Sequence, residues 1–182
     1  MINKLNLLSL ALLFCLPPLS MAQTLQADTV NSSIIFKINH NQGYTTGYFK
    51  DFAASLEVSD DQSTIKKADA IIKINSIDTN SAVRDEGLIS AMFFDGEKFP
   101  EAKFESTQIE GDQMSGLLTI KGITKPITMT ATLSKDSGKL VLTARGTFNR
   151  NDYGIDYNRE LAPHQKAIGD MVDLTVELHG NP

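Results

Sequence analysis

Val172-Asp173-Leu174-Thr175-Val176-Glu177-Leu178-His179 alternates apolar with polar side chains without a break. A period of two is the signature of a β-strand with one face turned to a core. The same alternation recurs upstream. Ile34, Phe36, Ile38 and His40 alternate with Ser33, Ile35, Lys37 and Asn39, and Ala68, Ala70, Ile72 and Ile74 are interleaved with Asp69, Ile71 and Lys73. Between these, Gly43 to Val58 reads as a second long strand with a bend, carrying Phe49, Phe52, Ala54, Leu56 and Val58. Further along, Phe104 to Ile109, then Gly116, Leu118 and Ile120, then Ile127, Met129, Ala131 and Leu133, then Leu140, Leu142, Ala144 and Phe148 repeat the pattern. Polar turns separate them at Asp60-Asp61-Gln62-Ser63, Gly111-Asp112, Lys121 to Pro126 and Asp136-Ser137-Gly138.

About eight strands with one apolar face each predict an all-β antiparallel sandwich or barrel. Closure would remove exposed edges, and an eight-stranded barrel either fills its interior with side chains or holds one small ligand. A transmembrane barrel is disfavoured by Lys37, Glu57, Lys73, Asp173 and Glu177 on the second faces and by the absence of tryptophan.

The pattern breaks from Ile74 to Phe104. Asn75-Ser76-Ile77-Asp78-Thr79 is a polar strand end, and Asp78-Thr79 is suited to a turn held by side-chain to backbone hydrogen bonds. A short helix is predicted over about 81–92, with Ser81 as its cap, Asp85 and Glu86 in its first turns, and Gly87 weakening it. Phe93, Phe94, Phe99 and Phe104 then need an apolar destination. A second irregular stretch, about 149–169, is predicted as a long loop or short helical excursion, of the length usually reserved for function.

The ends bound the class of protein. Lys4, the uncharged run Leu5 to Leu16 and the small residues Ser20-Met21-Ala22 form an expected signal peptide over 1–22, cleaved before Gln23. The run is too short to span a membrane. Cys15 falls inside it, so residues 23–182, one domain of 160 residues, carry no cysteine, disulfide or thiol nucleophile. With Lys4 removed, 16 basic residues face 22 acidic ones, and this mildly acidic surface argues against nucleic acid or a surface of anionic lipid headgroups as partners.

The chain resembles the YceI-like family in nearly all of its expected mature length. The matching pieces are His40 with Gly43 and Gly47-Tyr48-Phe49, Ser76-Ile77-Asp78-Thr79, Arg84-Asp85, Phe93-Phe94-Asp95, Phe99-Pro100 with Phe104, the hairpin Leu118 to Pro126, and Gly169-Asp170 before the last strand. A departure is Gly87-Leu88-Ile89, where a second polar residue is expected after Arg84-Asp85. The resemblance implies a lipocalin-like barrel in the periplasm that sequesters or carries a long-chain isoprenoid, a quinone or polyprenyl phosphate, without changing it and without a further cofactor.

Residue by residue, inward candidates for ligand binding are Phe36, Ile38, Phe49, Phe52, Ile72, Ile74, Leu118 and Met129, with Met92, Phe93, Phe94 and Phe104 from the central stretch. Any one of them could equally fill the core. Arg84 and Asp85 could hold a headgroup or form a structural pair. His40 joins the candidate set at its strand end. No nucleophile elbow or phosphate loop occurs, and His40, His164 and His179 read as isolated, so neither catalysis nor a metal is expected. Two other readings stay open: an acid/base group of His40, Arg84 and Asp85 acting on isoprenoid phosphates, and an interaction or stress-related module with a filled barrel. Homodimerisation is also left open.

Overall fold

Alternation in the sequence becomes alternation in burial. Along Phe52–Val58 every second side chain, Phe52, Ala54, Leu56 and Val58, is buried while those between face outward. The computed structural model describes residues 23–157, 160–162 and 165–181; the expected signal peptide and His164 lie outside the described residues. In chain order the elements are β1 (Gln23–Ala27), β2 (Ser33–His40), β3 (Gly43–Phe49), β4 (Phe52–Val58), β5 (Ile65–Lys73), β6 (Ile77–Asp78), α1 (Ala82–Ile89), β7 (Glu101–Glu110), β8 (Gln113–Ile120), β9 (Ile123–Asp136), β10 (Lys139–Asn149), β11 (Glu160–Ala162), β12 (Gln165–Lys166) and β13 (Ile168–Asn181).

Eight strands close into an antiparallel barrel in the order β1-β4-β5-β7-β8-β9-β10-β13, sealed where β1 meets β13. The long β13 pairs with β10 along one edge and serves two neighbours in turn along the other. Its last residues, Gly180 and Asn181, pair with β1, whereas Ile168 to Glu177 pair with β2. At that second end β2, β3 and β6 continue the wall.

The expected single bent strand over residues 43–58 is two strands with different partners. Lys50 and Asp51 leave the ladder, and Ile74–Ser76 form a 3-10 turn opposite them. Lys50 N donates to Ser76 O at 3.1 Å and Lys73 N donates to Asp51 O at 2.9 Å, so both arms kink together. β4 and β5 pair below the kink, β3 and β6 above it.

The helix is shorter than predicted, Ala82–Ile89 rather than 81–92. Ser90 Oγ donates to Gly87 O at 2.7 Å, and the chain from Phe93 to Gly96 folds back on the helix end by hydrogen bonds to Ser90, Leu88 and Ile89 carbonyls. Ser81 occupies the cap position, but its side chain makes no capping hydrogen bond. The excursion over 149–169 contains a 3-10 turn, Arg150–Tyr153, and the two-stranded ribbon β11–β12, and β13 begins by Ile168.

Where β1 seals the ring the interior is filled by aliphatic side chains. Leu25 pairs with Leu56 and Val58 with Ile65, and with Leu140 all are buried. Each such aliphatic side chain contributes roughly 1.5–3 kcal/mol by leaving water. Outside the barrel, ion pairs such as Lys73–Glu101 at 2.6 Å decorate the polar faces. Among the described residues no helix is long and apolar enough to cross a membrane.

Candidate functional site

Beyond this filled end the barrel is hollow. A cavity of about 500 Å³ lies between the strands and under α1. Its wall is almost entirely hydrocarbon. Phe36 and Ile38 come from β2, Phe49 from β3, Ile72 from β5, Phe104 from β7, Leu118 from β8 and Met129 from β9. Period-two alternation puts each of them inward, and Ala70 opposite Phe104 leaves room for the ring.

The central stretch covers one end. Arg84, Gly87 and Leu88 of α1 share a helical face over the cavity, followed by Phe93 and Phe94. The aromatic rings form a partial chain across the mouth: Phe36 lies 5.7 Å from Phe49, Phe49 6.4 Å from Phe94, and Phe93 5.3 Å from Tyr157 on the far side. Such tilted and edge-on contacts are favourable, yet leave gaps that a close-packed aliphatic layer would not.

Polar groups are few: His40, Asn41, Thr45, Asp69, Arg84 and Arg150. His40 Nδ1 accepts from Gln42 N at 3.2 Å, which directs the ring's other nitrogen to carry its proton when neutral. Arg84 Nε donates to Thr79 Oγ1 at 2.8 Å and its Nη2 donates to Thr79 O at 2.9 Å. Among the described residues Arg84 Nη1 has no protein acceptor. Asp85 is turned to the same residue: Thr79 N donates to Asp85 Oδ1 at 2.9 Å and Thr79 Oγ1 at 2.5 Å. Arg84 and Asp85 therefore meet through buried Thr79. Asp78 Oδ1 accepts from Asn80 N at 2.7 Å, the turn expected there.

The deepest polar group is one that sequence reasoning did not single out. Arg150 is 3% exposed and lines the wall. Its Nε donates to Gly169 O at 2.8 Å and its Nη1 to Ile155 O and, at 3.0 Å, to Tyr157 O. Burial lowers its pKa, while the charges of Asp170 and Asp156 oppose that shift. It ties Ile155 and Tyr157 to Gly169 of β13. A lone arginine in an irregular stretch carries no pattern that announces this. Beneath it Tyr153 is buried edge-on against Phe148 at 5.4 Å, and burial, with Asp152, pushes its hydroxyl up to about 12.

Four expected positions do not reach the wall: Phe52, Ile74, Asp85 and Met92. Phe52 and Ile74 are buried elsewhere in the core, Ile74 because the 3-10 turn interrupts the alternation and packs it near Gly96. Met92 lies past the helix end and is 55% exposed. His40 and Arg84 share the rim without Asp85, so the trio is not assembled as one acid/base group. His179 is not isolated either. Its Nε2 lies 2.9 Å from Glu177 Oε1, because strand periodicity puts both on one outer face. Among the described residues no group of three His, Cys, Asp or Glu side chains is placed to hold a metal. Wall positions outside the expected set include Leu88, Met114, Phe148 and Leu174. The alternation of Phe148 and Leu174 was visible, but not their height in the barrel; Leu88 comes from the helix and Met114 precedes the alternation read for its strand.

A profile of the YceI-like domain matches residues 25–179. A UPF0312 protein of Photorhabdus laumondii is 42% identical over 156 residues, 80% of this chain and 78% of that protein. Among solved structures, BcnA of Burkholderia cenocepacia superposes with a TM-score of 0.73 at 19% identity, covering 85% of this chain and 99% of its own. A polyisoprenoid binding domain from Saccharophagus degradans, implicated in plant cell wall breakdown, superposes at 0.64 with 15% identity, covering 89% of this chain and all of its own. At those identities the two structures are likenesses of fold.

Proposed function

Because this chain belongs to the YceI-like domain family, we propose that its barrel is a binding compartment for one long-chain isoprenoid, a quinone or polyprenyl phosphate, held without chemical change. The observation that carries the proposal is the cavity itself. About 500 Å³ of apolar space lies within the range of small-molecule sites, roughly 300–1,000 Å³. An apolar chain entering it loses its contact with water and regains dispersion contacts with Phe36, Phe94, Leu118 and Met129.

The distribution of polar groups gives the ligand a direction. The tail lies among the strands, and a polar head would meet His40, Thr45 and the free end of the Arg84 guanidinium at the rim. That end suits a phosphate or a quinone oxygen, both acceptors. The solved Saccharophagus domain, described as polyisoprenoid binding, shares the barrel and supports the choice of chain. The site of action proposed is the periplasm, after removal of residues 1–22; the support is the charged start, apolar run and small-residue end of that segment.

Displacement of a fluorescent apolar probe tests the proposal. The folded protein should take up the probe at one site per chain and release it to prenyl alcohols and quinones, but not to inorganic diphosphate alone. Folded protein that takes up neither probe nor prenyl chain would sink it.

A further inference from the structure

Besides Gly169 and Gly180 near the ends of β13, three glycines stand mid-strand where the backbone does not ask for glycine. Gly47 in β3, Gly116 in β8 and Gly146 in β10 lack the positive φ found at Gly111, Gly122 and Gly138 in the turns. A mid-strand glycine weakens its strand, so each calls for a local reason. The reason is that the space of a side chain is already taken. A Cβ on Gly47 would lie 2.3 Å from Phe36 Cζ, one on Gly116 2.4 Å from Phe104 Cε2, and one on Gly146 2.6 Å from Met129 Cγ.

All three intruding side chains are cavity wall. Gly47 is the direct partner of Phe36 across β2 and β3, Gly146 that of Met129 across β9 and β10, and Gly116 is diagonal to Phe104 across β7 and β8. Two of the seats also share one belt. Gly47, Phe36, Leu174, Gly146, Met129 and Met114 are successive register partners around the barrel. Phe36, Leu174 and Met129 on this belt therefore each find glycine beside them.

We propose that Gly47, Gly116 and Gly146 set the bore of the cavity, each acting as a seat on which Phe36, Phe104 or Met129 lies flat against the wall instead of crossing the lumen. A methyl group at a seat would lift its neighbour inward and narrow the bore, with the barrel still closed. The inference rests on the lipid reading of the cavity and sharpens it: the seats select for chain thickness, admitting a methyl-branched chain where a narrower lumen would accept only a straight one.

The test uses the folded mature chain and two alcohols of equal main-chain length, geranylgeraniol with methyl branches and hexadecan-1-ol without, each titrated by calorimetry or native mass spectrometry. Gly146→Ala is the milder variant, since Met129 is flexible and the nearest backbone atom, Thr128 O, is 3.3 Å away. Gly47→Ala displaces the Phe36 ring and meets Thr79 Cγ2 at 2.8 Å. Gly116→Ala is left aside because Glu105 O, a backbone atom, would lie 2.6 Å from the new carbon. Each of the two alanines should weaken geranylgeraniol about tenfold or more and hexadecan-1-ol less than about threefold, a discrimination of the size one methyl group produces in an apolar pocket. Adding Phe36→Val to Gly47→Ala should restore the ratio of the wild type. A purely structural glycine would lower the melting temperature and leave that ratio unchanged. An unchanged ratio in folded Gly146→Ala, with the wild type binding both alcohols, overturns the bore proposal alone; a wild type that binds neither overturns the lipid reading with it.

Discussion

The two ends of the barrel use the same alternation and come to opposite outcomes. Where β1 closes the ring, Leu25, Leu56, Val58, Ile65 and Leu140 interlock, and even Gly180 has Leu25 Cδ1 3.0 Å from where its Cβ would be. Toward α1, Phe36, Phe49, Phe93 and Phe94 are only partly buried and enclose space. Period two decides which way a side chain points. Whether the interior fills is decided by the sizes that meet across the strands: at the closed end Leu25 meets Leu56 and Val58 meets Ile65, whereas around the cavity Phe36 and Met129 lie on glycine, Phe104 faces alanine, and Ile38, Ile72 and Leu118 stand beside open space.

Substitutions can break this contrast. Leu56→Ala at the filled end should lose about 2–5 kcal/mol in urea melts, because the hole it leaves is surrounded by packed neighbours. Arg150→Met should lose somewhat less, about 1–3 kcal/mol, by leaving the carbonyls of Ile155, Tyr157 and Gly169 without their buried donor. Thr79→Val should lose about 1 kcal/mol, because it removes the hydroxyl that links Arg84 Nε to Asp85 Oδ1 while the hydrogen bonds of both side chains to the Thr79 backbone remain. Phe93→Glu at the hollow end should change stability least, by less than about 1 kcal/mol as for other partly exposed sites, yet weaken uptake of an apolar probe by about tenfold or more. An equal loss of stability at Leu56 and Phe93 would erase the distinction between the ends.

Much of the barrel was legible because alternation is a local signal: Val172 to Leu178 could face only one core, and the ring of strands followed. Height along the barrel is not local. Phe52 was expected at the cavity and is buried beside it, opposite Ile72, which does line the space, and Ile74 was displaced by a 3-10 turn that depends on Asp51 and Lys73 meeting across two strands. Phe36, Phe49, Phe93, Phe94, Phe104, Leu118 and Met129 were expected inward and do line the space. Arg150 escaped notice because its partners are carbonyls, and every residue has one. The glycine seats were equally silent: Gly47 was visible as part of a motif, but its function in space required the Phe36 ring to be in place above it.

The most direct test is the mass of the protein purified from its own cells, recorded first under native and then under denaturing conditions. The native mass should exceed that of the polypeptide by one lipid, which denaturation releases and organic extraction recovers as a chain of isoprene repeats. A native mass equal to the polypeptide alone, in protein that also refuses added prenyl alcohol, would contradict a lipid-binding barrel.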